Sequence, residues 1–253
     1  MFACKPGGVS VADCENDGNC KTVISVPASP EKLSAEPYDA FWTNANSPKK
    51  YTVELGPQLI TNPQWPNPSI KTVSLSVARS AGEIAVRVEW EDPTKDEEFG
   101  YGTRYTDQIA LMFPIHPRAE FPIITMGEES HPVNIWQWKA AWERDKNVGS
   151  GIAAESASAE PQPAKGKRLS PVQDLNAEGY STLTNQEHQD VSGKGVWANN
   201  RWSVVFKRPL VTADANDVQF KQSLPMAIAV WDGGNRETNG QKGISTWILL
   251  NFN

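Results

Sequence analysis

A chain of 253 residues is long enough to bury one sizeable core. Its 24 Lys and Arg stand against 30 Asp and Glu, a net charge of −6 with no basic run, which argues against a nucleic-acid partner. No apolar stretch approaches the length of a membrane span, so no transmembrane segment is expected.

Residues 1–36 are rich in Pro, Ser, Gly and charge without periodicity, and are predicted to form an extended lead-in to one domain over residues 37–253. All three cysteines lie there: Cys4, Cys14 and Cys20. With no C-x-x-C-H and no paired C-x-x-C, neither covalent haem attachment nor a zinc site is expected. The stretch "CENDGNC" closes a short polar loop, which suits either a Cys14 to Cys20 disulfide in an oxidising compartment or two free thiols. "MFAC" resembles the end of a lipoprotein signal but lacks the charged and apolar regions before it. Cys4 is thus a candidate lipid anchor, and an exported or periplasmic location is the expectation.

Strand signals follow. Val73, Leu75 and Val77 alternate with polar residues, as do Ile84, Val86, Val88 and Trp90 after the "RSAGE" turn, predicting a hairpin with one wet face. "DQIALMFPI" (107–115) is a more continuous apolar run and reads as an interior strand. Prolines 114, 117, 122 and 132 forbid long helices in the middle of the chain. Only "VNIWQWKAAWERD" (133–145) has helical character, with Trp138, Ala141 and Trp142 on one face. Residues 146–194, rich in Gly, Ser, Ala and Pro, are predicted as a long surface insertion. "RWSVVFKRPL", "PMAIAVW" and "ISTWILLNF" supply three further strands. The expected fold is all-β: an antiparallel β-sandwich with a few short helices.

The chemistry is narrower. G-x-S-x-G, H-E-x-x-H, the phosphate-binding loop and the dinucleotide fingerprint are absent, and His116, His131 and His188 sit in no nucleophile-bearing motif. The turn-rich stretch "WDGGNRETNGQKG" (231–243) lies between two apolar runs and ends on Lys242. It opens like a calcium loop, but Arg236 and Gly243 occupy the fifth and twelfth places, where an EF-hand needs oxygen ligands, so calcium is not expected through that motif. Ten tryptophans fit a core, a sugar platform or a planar cofactor equally well.

"ITMGEESHPVNIWQWKAAW" (124–142), preceded by "DQIALMFPIHP" and followed later by "MAIAVWDGGNRETNGQKGISTWILLNF", resembles the haem-binding γ subunits of type II DMSO-reductase-family molybdoenzymes. That group includes ethylbenzene and dimethylsulfide dehydrogenases and chlorate and selenate reductases, with related subunits in nitrite oxidoreductases. The resemblance covers roughly residues 37–253. It implies one b-type haem whose iron is held by a methionine and a lysine, which fall here on Met126 and Lys242. It also implies partners: an iron–sulfur β subunit, a molybdenum catalytic α subunit and an external redox carrier such as a cytochrome c. Two strong axial ligands leave no open position for substrate, so the resemblance implies an electron carrier rather than a catalyst.

A free lysine has a pKa near ~10.4, and iron binds only the neutral amine, so such a site must be shielded from water. Met112 and Met226 are rival sulfurs inside apolar strands. His131 is the conventional iron ligand and the runner-up. Arg104, Arg236 and Lys139 are conceivable propionate partners. Trp136 and Trp138, two apart on a helix, would face different ways. The acidic "MGEES", the insertion and the cysteine-bearing lead-in depart from the family pattern. The alternative function is a carbohydrate-binding β-sandwich module using exposed tryptophans.

Overall fold

The computed structural model describes residues 9–16, 18, 20–98, 104–144 and 170–252. In chain order the elements are α1 (Val11–Asn16), β1 (Cys20–Ser25), α2 (Ala40–Thr43), β2 (Tyr51–Glu54), β3 (Gly56–Pro57), β4 (Thr72–Arg79), β5 (Glu83–Glu91), β6 (Gln108–Pro114), β7 (Val133–Lys139), α3 (Ala140–Arg144), β8 (Val172–Ala177), β9 (Thr184–Asn185), β10 (Ser192–Trp197), β11 (Arg201–Pro209), β12 (Leu224–Trp231), β13 (Gly243–Ile244) and β14 (Trp247–Asn251). They form two sheets. The larger runs β1-β14-β12-β6-β7-β8-β9, with β13 joining β12 to β3; the smaller runs β10-β11-β5-β4-β2. Among the described strands every pairing is antiparallel except β1 with β14.

The principal core lies between the sheets. Val86, Val88 and Trp90 of β5 and Val204 and Phe206 of β11 meet Ile109, Leu111 and Phe113 of β6, Trp136 and Trp138 of β7 and Ile228 of β12. Trp138 sits edge-on to Trp202 of the opposite sheet, with ring centroids 4.9 Å apart. Gly195 of β10 leaves the space for it, since a Cβ there would stand 2.1 Å from the Trp138 ring. Burial of these rings and branched side chains is the main force holding the layers together, roughly 1.5–3 kcal/mol for each large apolar side chain.

Four expectations need adjustment. Residues 133–139 are a strand rather than the start of a helix, with every residue buried between β6 and β8; only Ala140–Arg144 is helical. A strand buried on both faces loses the polar alternation that marks strands in a sequence, and the chance spacing of its aromatics imitates a helix. Trp136 and Trp138 consequently share a face, the one turned to the inter-sheet core. The β4–β5 hairpin has no fully wet face: Leu33, Phe41 and Trp42 cover Ala78 and Ala85. Of the 146–194 stretch, residues 146–169 lie outside the described residues, while Val172–Ala177 is a largely buried strand paired with β7.

The lead-in contains α1 and β1, and β1 extends the larger sheet alongside β14. Cys14 and Cys20 form a disulfide with Cα atoms 5.1 Å apart. Cys4 lies outside the described residues.

Candidate functional site

The outer face of the larger sheet is also apolar, a second cluster that includes Ala110, Met112, Ile135, Ala227, Trp231 and Trp247, and loops rather than a third sheet close over it. Register explains the floor. Ala227 lies opposite Met112 and Ala229 opposite Ala110 across β12 and β6, and Met112 and Ala110 lie opposite Ile135 and Gln137 across β6 and β7. Three alanines in this patch leave room above the backbone, where larger residues would fill it. The space is a cavity of about 310 Å³, walled by residues from the 58–63, 124–126, 180–183 and 239–245 segments.

Met126 and Lys242 both line this cavity. Met126 is half-buried at the end of a turn with φ of 75°, and Gly127 follows with φ of 73°. Left-handed backbone at a non-glycine residue is costly and persists where surrounding structure enforces it. Here the Gly127 N–H donates to the Ile123 carbonyl at 2.9 Å and the Gly179 N–H to the Met126 carbonyl at 2.9 Å. Gly127 tolerates no side chain, because a Cβ would lie 2.5 Å from the His131 carbonyl oxygen.

Lys242 immediately precedes β13, a two-residue strand pinned on one side to Ala229 and Val230 and on the other to Gly56 and Pro57. Its Nζ lies 4.7 Å from the Trp231 ring centroid. The stretch before it is built rather than loose. Arg236 and Asn239 are left-handed, the Trp231 indole N–H donates to the Asn239 carbonyl at 3.0 Å, and Gln58 Nε2 donates to the Gly240 carbonyl at 2.9 Å. Glu237, fully buried, anchors the whole turn. Its carboxylate accepts from Trp65 Nε1 at 2.9 Å, the Ser69 N–H at 2.9 Å, Asn235 Nδ2 at 3.0 Å and the Asp232 N–H at 3.1 Å. Glu237 and Gln58 were not singled out in the sequence, because their partners lie up to 182 residues away.

Met126 brings a thioether and Lys242 an amine to this cavity, beside Gln58, Gln137, a few hydroxyls and aliphatic walls, and a thioether and an amine are groups that could hold a transition metal. Residues 39–243 match the family model described as ethylbenzene dehydrogenase. The chain belongs to the ethylbenzene dehydrogenase family. Within reach of this family member are a protein of Haloferax mediterranei described as a respiratory nitrate reductase haem subunit, 28% identical over 75% of this chain and 59% of its own length, and the chlorate reductase subunit gamma of Ideonella dechloratans, 27% identical over 71% and 64%. The dimethylsulfide dehydrogenase subunit gamma of Rhodovulum sulfidophilum is 25% identical over 98% of this chain and 90% of its own. The matches to the first two thus span less than two thirds of those relatives. Among solved structures, a carbohydrate-binding protein from Bacteroides uniformis aligns over 90% of both chains at 9% identity with a TM-score of 0.47, a loose likeness of shape.

Of the other candidates, Met112 shares this cavity and the rest lie elsewhere. Met226 is fully buried in the inter-sheet core, whereas Met112 is on the cavity wall. His131 is not among the residues lining the cavity; its Nδ1 lies 2.6 Å from Glu128 Oε1 and its Nε2 3.3 Å from Arg118. Arg104 pairs with Glu98, Lys139 lies over the Trp142 ring at 4.5 Å, and Arg236 is exposed; none of the three lines the cavity. All ten tryptophans are buried or half-buried, so none offers an exposed indole face.

Proposed function

We propose that this family member is an electron-transfer subunit holding one b-type haem in the cavity over β12, β6 and β7, with Met126 and Lys242 as the axial pair. The observation that carries the reading is that these two residues, remote in sequence, share one cavity wall set. Bound there, the haem supplies a one-electron iron couple. Met126 contributes a soft, uncharged ligand that favours the reduced metal and raises its potential. Lys242 would contribute an amine, which binds a metal only in its neutral form. With the iron held by two side chains of the protein, the chain would carry electrons and leave catalysis to another subunit.

The names of the relatives, one a haem subunit and two gamma subunits, support a place in a larger complex. In the proposed complex electrons pass between an iron–sulfur subunit, itself wired to a molybdenum catalytic subunit, and an external carrier such as a cytochrome c. The Cys14 to Cys20 disulfide supports an exported, periplasmic location. No described helix is long and apolar enough to cross a membrane.

The test is spectroscopic. The purified chain supplied with haemin is expected to give a low-spin Soret band with sharp α and β bands on reduction, and Lys242→Ala and Met126→Leu are each expected to change the spectrum and midpoint potential. A colourless preparation defeats the haem. If Met112→Leu or His131→Ala moves the spectrum while Met126→Leu does not, the sulfur assignment is wrong.

A further inference from the structure

Three aspartates converge at one end of the sandwich. Asp92 directly follows β5 of the smaller sheet, Asp107 directly precedes β6 and Asp232 directly follows β12 of the larger. One carboxylate oxygen from each lies within 4.8 Å of the others, and the residues are 0%, 0% and 8% exposed. No lysine or arginine among the described residues forms an ion pair with any of them. Asp92 supplies the independent sign of a ligand: its Oδ1 accepts from the Thr94 N–H and hydroxyl, but its Oδ2 is buried without a hydrogen-bond partner. A buried orphan oxygen forfeits on the order of 1–3 kcal/mol, more when charged.

The surroundings hold these carboxylates together rather than separating them. Asp107 accepts from the Gly233 N–H at 2.9 Å, the Asp96 N–H at 2.8 Å and Trp202 Nε1 at 2.8 Å. Asp232 Oδ1 accepts from the Asn235 N–H at 3.0 Å. Gly233 permits the approach, since a Cβ there would lie 2.3 Å from the Tyr105 carbonyl oxygen. Thr94 Oγ1 and the Asp96 carboxylate, 2.6 Å apart, stand beside the group. Three buried carboxylates at this separation repel one another unless a cation or protons intervene.

The geometry points to a hard divalent cation of calcium size held by Asp92, Asp107 and Asp232. Such an ion takes oxygen ligands at about 2.3–2.6 Å, so two oxygens on it are at most roughly 5 Å apart, a limit that the three carboxylates satisfy. Magnesium, which keeps several waters, suits so dry a site poorly. The ligands come from three separate strand ends, unlike a contiguous EF-hand loop. The ion ties the two sheets together at the root of the turn leading to Lys242, and its binding does not depend on the haem reading.

The experiment is a Tb³⁺ titration of the full chain, stripped with chelator and without added haemin, with excitation through tryptophan because Trp202 bonds directly to Asp107. Saturable emission displaced by Ca²⁺ is expected, with a Ca²⁺-dependent rise in Tm. Asp92→Asn and Asp232→Asn are each expected to weaken binding at least tenfold, with circular dichroism checking that the sheet is intact. Two variants at different strand ends guard against one failing to fold. Absence of Ca²⁺-displaceable emission in the native chain overturns the site, as do folded variants that bind like the native chain. Displacement by Mg²⁺ as readily as by Ca²⁺ overturns the size assignment. Failure here leaves the haem spectrum untouched.

Discussion

Glu237 offers a sharp test of how the turn before Lys242 is held. Its buried carboxylate collects four N–H donors, from Trp65, Ser69, Asn235 and Asp232. Glu237→Ala strands all four. At about 1 kcal/mol each, the low end for buried groups because several are only partly enclosed, the loss is about 4 kcal/mol, reduced slightly by no longer burying a charge. For a chain of this size each kcal/mol moves Tm by roughly 2–4 °C, so a fall of about 10 °C is expected. Glu237→Gln keeps one acceptor oxygen, which serves Trp65, Ser69 and Asn235, and loses the bond from the Asp232 N–H. Its fall should be about 2–4 °C. Differential scanning calorimetry of the two variants decides the matter. A loss under about 3 °C for the alanine variant, or equal losses for both, refutes this account of the turn.

Two further outcomes follow from the same geometry. Gly127→Ala meets both a left-handed backbone and a carbonyl oxygen 2.5 Å from its new methyl group, and is expected to lose at least about 2 kcal/mol in urea denaturation; a loss under about 0.5 kcal/mol contradicts the strain argument. Asp174 is raised to about 8, first by burial, with the Asn134 hydrogen bond opposing and Asp217 adding to the rise. Its folded form therefore keeps a proton that the unfolded chain releases near pH ~4, so its contribution is full below that pH and is lost as pH rises to about 8. The stability of the wild type relative to Asp174→Asn should fall across that window, by up to about 1.4 kcal/mol per pH unit. Other buried carboxylates cancel in the difference, and parallel stability curves for the two proteins would remove Asp174 as the cause.

The strands were legible where one face differs from the other, or where an apolar run is bounded by turns. β4, β5, β6, β11 and β12 stand where alternation or continuous apolarity indicated them. The failure at 133–139 has a physical origin. β7 lies in the middle of the larger sheet with both faces covered, so nothing in its sequence had to be polar, and period-two and period-3.6 patterns became indistinguishable. The same loss of contrast hid β8, whose Gln173 and Asp174 are buried by satisfying one another's neighbours through Asn185, Asn134 and Gln186 rather than by facing water.

The site divides along the same line. The "NGQK" turn and the Met-Gly pair are local stretches, and it is the family resemblance rather than their spacing that singles out Lys242 and Met126. What brings them to one cavity is the register of β12, β6 and β7, which sets three alanines beneath them, and the long-range grip of Gln58 and Glu237 on the turn. Sequence spacing carries no trace of these. The aspartate cluster is the extreme case. Asp92, Asp107 and Asp232 belong to no motif, since each merely ends or begins a strand, and only the meeting of two sheets turns three ordinary strand-end residues into one buried, charge-crowded group. A contiguous loop advertises its ligands through spacing, whereas a site assembled from strand ends becomes visible only once topology is known. Asp232 also opens the loop-like stretch that lacks oxygen ligands at Arg236 and Gly243, but that spacing has no bearing on the strand-end cluster.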